Sequence, residues 1–485
     1  MTSLFPASKT RTGGAPSSLA LILFGLILAV LPPSPTAFGA DTDAGDAPGP
    51  CAQARSLTLA EARTLALAND EQLAGMGQAV VGAQADIMAV NADRLPQLDV
   101  GGTWTHNLKK PVFFLPPDMA EGLGGATSLE MGGDWDLQAA ATVTVNLWTA
   151  GRLSAARGMA TEALSATRWQ EALVADAVVL SAETAYFNAL LAGRQLEIAA
   201  SAMALAEENL RVTTKIFEEG KTSRYDMLRA QVELTNRETP LVSARNDMAL
   251  AHQRLLRVCG LDPSLSLTLT DALDAVPDPD PLDDLLTEMI RRSPELRALE
   301  HQVRATRLSV NLAKAGRGPV VWFQGQYALQ GQWDDTVFPD SGATAKSASA
   351  AVGVSLPIFD GFAAKADIRG SEADLRMAQL ELDRVTRDRE LGVRQLRTYL
   401  ENALTALEGR HEGVDLAEEA YRLALVRLEN GLATPLERLD AELALIQAQV
   451  QLAEALYTCN VAESNLKLAV GGRTETARLA EENTQ

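Results

Sequence analysis

The chain has 485 residues, 47% of them apolar but only 5% aromatic, and carries a formal net charge of −20. Its apolar content excludes a disordered chain, and its one long apolar run is too short for a helical membrane protein. The acidic excess argues against a nucleic-acid partner.

That run, Leu19 to Leu31, follows Lys9 and Arg11 and precedes Ala37-Phe38-Gly39, a small-x-small cleavage pattern. Residues 1–39 therefore read as an export signal peptide, because its roughly 13 apolar residues fall short of the ~20 of a spanning anchor. Residues 40–55 read as a linker. Cys51, Cys259 and Cys459 show no C-x-x-C spacing, so neither a zinc site nor a redox motif is expected. Ala47-Pro48-Gly49-Pro50 before Cys51 does not look like a lipoprotein box. An oxidising compartment permits a disulfide, Cys51 with Cys259 being one of three pairings.

Residues 56–275 form a first unit. A helix is expected from Thr58 to Asp93, then two segments of alternating polarity at about 97–109 and 137–147, joined by a Gly- and Pro-rich loop over Lys110 to Asp134. Arg152 to Phe217 contains no proline, so one helix of 66 residues is expected there, roughly 100 Å long. A return helix follows from Arg224 to Val258. Residues 276–280, with Asp278-Pro279-Asp280, read as a linker.

Residues 281–472 repeat the order: a helix from Leu282 to Ala315, strands at about 320–330 and 348–357, a loop over Gln332 to Lys346, a proline-free helix from Ala363 to Leu428, and a return helix from Pro435 to Val470. Residues 473–485 read as a flexible tail. Shifting the sequence by 211 positions lays Leu205-Ala206-Glu207-Glu208 on Leu416-Ala417-Glu418-Glu419, Gly220 on Gly431 and Gly260 on Gly471. The chain is thus expected to be an internal duplication.

Apolar stripes along the long helices, such as Ile198-Ala202-Leu205 beside Met203-Ala206-Leu210, suit a helix flanked by neighbours on two sides. Four strands of about ten residues match the length of a tilted membrane strand, and their open edges demand closure by further copies. Residue patterns alone leave the number of copies open.

The order of elements, the strand-to-helix junctions Leu147-Trp148-Thr149-Ala150-Gly151 and Pro357-Ile358-Phe359-Asp360-Gly361, and the turns around Gly220-Lys221-Thr222-Ser223 and Gly431-Leu432-Ala433-Thr434 resemble the TolC family of outer-membrane efflux proteins. The resemblance covers nearly the whole chain after the leader. It implies a mainly α fold with a membrane β-barrel: a homotrimer whose twelve strands form one barrel in outer-membrane lipid and whose twelve helices form a periplasmic tunnel. It also implies a periplasmic adaptor protein and, through it, an inner-membrane pump or secretion ATPase.

Candidate site residues follow. Gly220 and Gly431 end helices where a left-handed residue is needed, and the resemblance makes Gly220, Thr222, Ser223, Gly431, Ala433 and Thr434 candidates for adaptor docking. It also places an acidic constriction near Glu418 and Glu419, where copies around an axis would concentrate carboxylates that favour cations. No cofactor, metal site or enzymatic chemistry is expected. Gly220-Lys221-Thr222 imitates the end of a P-loop without its first glycine, and His106, His252, His301 and His411 lack metal-ligand spacing. The competing reading is a soluble periplasmic coiled-coil adaptor or structural protein, which the paired strands disfavour.

Overall fold

The computed structural model describes residues 55–114, 128–274, 276, 278–339, 342–430 and 432–471. The export signal, Cys51 and most of the 40–55 linker, Gly431 and the 473–485 tail lie outside these residues.

The protein is mostly helical. A short strand β1 (Arg55–Leu57) leads into α1 (Leu59–Asn69) and α2 (Glu71–Ala92). Sequence periodicity runs these two helices together, whereas the structure breaks them at Asp70. The Asp70 backbone is extended, and its carboxylate accepts from the Leu73 N–H at 2.8 Å, capping α2 afresh. Thr58 and Glu61 form a reciprocal capping box at the start of α1.

Strand β2 (Gln97–His106) ends three residues before the expected position, and β5 (Trp135–Trp148) is longer than its alternating pattern predicts. The intervening loop carries a small hairpin of β3 (Val112–Phe114) and β4 (Ser128–Glu130). The long helix α3 (Arg152–Glu218) and its return α4 (Arg224–Val258) follow, with Pro240 inside α4.

A strand β6 (Leu267–Leu269) pairs in parallel with β1. Helices α5 (Leu282–Arg292) and α6 (Pro294–Ala315) come next. Periodicity runs this pair together as well; Pro294 forces Ser293 out of the helical region (ψ 117°) and restarts the helix. Strands β7 (Val320–Trp333) and β8 (Thr344–Ser355), the long helix α7 (Ala363–Glu429) and its return α8 (Pro435–Val470) complete the described chain.

The main sheet is antiparallel in the order β2-β5-β7-β8, so within this chain β2 and β8 are edges. Leu98, Val100 and Trp104 of β2 and Val352 and Val354 of β8 are all exposed. Beyond the strands, the Lys110 ammonium lies 2.7 Å from Asp334 and 3.4 Å from Asp134, tying the bases of the two loops together. The hydrogen bond from Lys110 holds the Asp334 carboxyl below its usual range.

The core lies where the short helices and the β1–β6 pair meet the long helices. One cluster gathers Leu57, Tyr186, Leu255, Leu256 and Leu267; a second gathers Met289, Val393, Leu400, Cys459 and Leu466. Cys259 and Cys459 are buried free thiols. The Tyr186 hydroxyl lies 2.9 Å from Asp271 and 3.0 Å from the Leu57 carbonyl, and the same Asp271 oxygen accepts from the Leu59 N–H at 2.7 Å. Tyr186→Phe removes the hydroxyl and leaves these buried acceptors short of a donor. We expect destabilisation by about 1–3 kcal/mol, read as a lower urea midpoint of the far-UV circular dichroism signal.

Candidate functional site

At the first hairpin turn, Gly220 takes φ +71°. Its N–H donates to the Phe217 carbonyl at 2.8 Å, and the Lys221 N–H donates to Ile216 at 3.0 Å, which closes the last turn of α3. Nothing lies within 4 Å of the position a Gly220 Cβ would occupy, so the glycine answers a backbone demand and not a packing one.

The hydroxyls of Thr222 and Ser223 both donate to the Asp226 carboxylate, at 2.9 and 2.6 Å. Ser223 in turn accepts from the Asp226 N–H, completing a capping box. These bonds, the one from Ser223 foremost, hold the Asp226 carboxyl below its usual range.

The second turn solves the same problem with Thr434 and Glu437, again a capping box, with Pro435 at the first helical position. Arg427 donates to the Leu432 carbonyl at 3.2 Å and lies 3.7 Å from Glu437, bracing the turn. The structure thus gathers Gly220, Thr222 and Ser223 in one turn and Ala433 and Thr434 in the other, with the Ser223 and Thr434 hydroxyls already engaged in caps.

Sequence reasoning missed the apolar side chains these turns present. Tyr225 is 70% exposed and Leu432 71%, and Leu436 stands exposed beside them. Tyr225 and Leu436 are equivalent under the 211-residue offset, a signal readable from the sequence once caps and exposed faces are separated.

Glu419 accepts two hydrogen bonds from Arg422, at 2.7 and 2.6 Å. Glu208 and Arg211, at the matching positions of α3, form the same bidentate pair. In each case the neighbouring guanidinium holds the carboxyl below its usual range. Both pairs are solvent-exposed, so they add little to stability.

Glu418 points elsewhere: it lines a groove of about 640 Å³ together with His252, Arg194, Glu197, Met248 and Gln449, between the two helical hairpins. Burial pushes the His252 imidazole down from its ordinary value, so the groove wall holds a neutral ring at pH 7. Of the other histidines, His301 bonds Glu162 at 2.7 Å and His106 stacks on Trp135. Among the described residues no group of three or more His, Cys, Asp or Glu side chains is arranged to hold a metal.

The chain is similar to outer membrane efflux protein BepC of Brucella suis biovar 1, 27% identical over 272 residues, 56% of this chain and 58% of that protein. It is also similar to alkaline protease secretion protein AprF of Pseudomonas aeruginosa, 24% identical over 290 residues, 59% of this chain and 60% of that protein. The matched stretches therefore span less than two thirds of these relatives.

Among solved structures, the fold matches the CmeC outer membrane channel of Campylobacter jejuni with a TM-score of 0.71 at 15% identity, covering 88% of this chain and 89% of that one. The model of the outer membrane efflux protein family matches residues 62–261 and 285–472. With both halves matched from the first helix to the last, the chain belongs to the outer membrane efflux protein family.

Proposed function

We propose that the chain is one subunit of a passive exit channel through which substrates leave a cell across the periplasm and outer membrane. The observation that carries this reading is a four-stranded antiparallel sheet with two open edges and exposed apolar faces, continuous with two helices of 67 residues each. Lipid cannot satisfy an open edge, so the sheet closes with further copies. Three copies give a twelve-stranded barrel and a helical tunnel.

In this reading residues 1–39 are an export leader removed from the mature protein. Residues 56–275 and 281–472 are two repeats of one unit, and 473–485 are a tail. The turns at Gly220, Thr222 and Ser223 and at Gly431, Ala433 and Thr434 meet the hairpin of a periplasmic adaptor. The exposed Tyr225, Leu432 and Leu436 supply apolar contact there. An inner-membrane pump or secretion ATPase delivers cargo through that adaptor, in a tripartite efflux or a type I secretion system. The names of the relatives, one an efflux protein and one a secretion protein, support both routes. Because the channel is a conduit, energy and cargo choice belong to the partner.

The test is extraction of the full chain from outer membranes. Detergent-dependent recovery of a trimer that conducts ions in planar bilayers supports the reading, and full recovery in the soluble periplasmic fraction overturns it.

Glu418 and Glu419 are the proposed acidic ring. The Arg422 partner offsets the charge of Glu419 locally, so Glu418 carries more of the ring's effect. Glu418→Gln is expected to reduce cation preference more than Glu419→Gln, measured as the reversal potential of single channels in a salt gradient. Unchanged reversal potentials in both variants remove the assignment.

A further inference from the structure

The contact between the two halves of this chain shows how one copy meets the next. Helices α1 and α5 have 11 residues each and α2 and α6 have 22 each. A constant offset of 223 carries Leu59 to Leu282, Glu71 to Pro294 and the first residue of β2, Gln97, to the first of β7, Val320. The offset of 211 carries β5 and α3 onto β8 and α7.

Within the chain, β5 pairs with β7 and α3 packs on α6. Their equivalents, β8 with α7 and β2 with α2, are the open flanks. We propose that each copy repeats on its neighbour the register that joins its own halves: β8 pairs antiparallel with β2 of the next copy, and α7 packs on α2 of the next copy. Applied to the in-chain pair Ala141 and Tyr327, the offsets place Val352 opposite Trp104 of the next copy. Applied to Val145 and Phe323, they place Leu356 opposite Val100. This inference rests on the closed-channel reading above and adds its register.

Burial identifies the missing neighbour. Helix α3 buries 20 residues, being covered on both sides within the chain. Helix α7, equally long, buries only Val385, Val393, Leu400, Leu407 and Val414, spaced along a single stripe. Its Met377 and Leu380 are exposed at the positions where α3 buries Ala166 and Trp169. Likewise α6 buries Leu296, Ala298, Val303, Ala305 and Val310, whereas α2 buries nothing despite being apolar enough to span a membrane. What α3 and α6 give each other, α7 and α2 lack.

Side-chain sizes across the inferred contact are complementary. Inside the chain, a Cβ on Gly318 would sit 2.1 Å from the Ala150 Cβ, so one partner must be glycine. The equivalent pair is Leu95 and Gly361: glycine is kept, on the opposite side. Trp169 packs with Ala298 in one cluster, and its counterpart Leu380 meets Gly75, where nothing lies within 4 Å of a Cβ.

Polarity changes in concert as well. Glu162, which lies 3.4 Å from Arg304, corresponds to Ala373 and Val81, so both partners of an ion pair have become apolar together. In the sheet, the register sets exposed Val352 and Leu356 on the same face as exposed Val100 and Trp104. A slip of one residue would set apolar side chains against polar ones on opposite faces.

The experiment places cysteines at Val352 and Trp104 of the full chain, with Val352→Cys/Gly102→Cys as a control displaced by two residues on the same face. Both are oxidised in isolated outer membranes, with single-cysteine variants as background. Directly opposed Cβ atoms lie about 4.5–5.5 Å apart and displaced ones about 7–8 Å, so the 352/104 variant should give several-fold more covalent dimer and higher species. Equal or greater yield at 352/102, in a protein that native mass spectrometry shows to be oligomeric, overturns the register and leaves the channel reading standing. A folded monomer without cross-links at either pair overturns both. Leu95→Arg provides a second readout: helical content is retained while the oligomer dissociates, and an intact oligomer counts against the assigned contact.

Discussion

Replacing Arg438 by alanine is expected to destabilise the protein by about 3–5 kcal/mol. Arg438 and Glu442 stand one turn apart on α8, joined at 2.7 Å, with side-chain exposures of 9% and 2%. The pair is one of few charged pairs buried within the chain, beside about a dozen exposed ones worth little each. Removing Arg438 strands a carboxylate that solvent cannot reach, and the desolvation cost of that bare charge exceeds the worth of the ion pair itself. Replacing both, as Arg438→Met/Glu442→Leu, removes charge and partner together and should restore most of the stability. The urea midpoint of helical circular dichroism measures both variants. A single variant no less stable than the double one would show that the pair is hydrated in solution.

Gly260→Ala is expected to cost about 3 kcal/mol, the sum of two effects. Gly260 ends α4 with φ +66°, where an L-residue costs about 1–2 kcal/mol. An added Cβ would also meet the Asn69 Cβ at 2.3 Å, and the same Asn69 donates to the Cys259 carbonyl at 2.8 Å. Relieving that overlap adds about 1–3 kcal/mol. Gly471, the equivalent position, stands 2.6 Å from the Arg292 Cβ in the same sense, and Arg292 is itself the equivalent of Asn69. Gly220→Ala provides the contrast. Its φ is similar, but the space around it is open, so only the backbone cost of about 1–2 kcal/mol is expected. Thermal unfolding midpoints of the three variants separate backbone strain from packing; equal shifts would refute the packing contribution.

Much of this architecture is legible in the amino-acid order alone. The return helices begin and end at the residues read from the sequence, Arg224 to Val258 and Pro435 to Val470, because Ser223 with Asp226 and Thr434-Pro435 with Glu437 are local starting signals. The long helices follow from the absence of proline. Their width of burial does not, since which stripe is covered depends on neighbours far away in sequence.

The breaks at Asp70 and Ser293 escape a reading by periodicity because the apolar pattern continues through them. Pro294 is a visible warning, and Asp70 needs its capping role recognised. The β1–β6 pair, three residues on each side and more than two hundred positions apart, leaves no local trace. At the candidate site, the capping residues are easy to find because caps obey local rules. The exposed Tyr225 and Leu432 are not, because exposure is a property of the fold. Glu419 is the intermediate case: its partner Arg422, three positions on, is readable, but the groove beside Glu418 requires packing of one hairpin on the other.

The strand-to-helix junctions have a mechanical consequence. Each passes through two successive left-handed residues, Ala150 and Gly151 in one (φ +51° and +88°) and Gly361 and Phe362 in the other (φ +66° and +70°). From each hangs a proline-free rod of 67 residues, about 100 Å long. A rigid rod is a lever. A tilt of about 3° at such a pivot moves the far end by roughly 5 Å, close to the 5.4 Å pitch of the helix itself. Small torsional adjustments at four residues beside the membrane are therefore amplified into a displacement of about one helical turn at the distant hairpin tips.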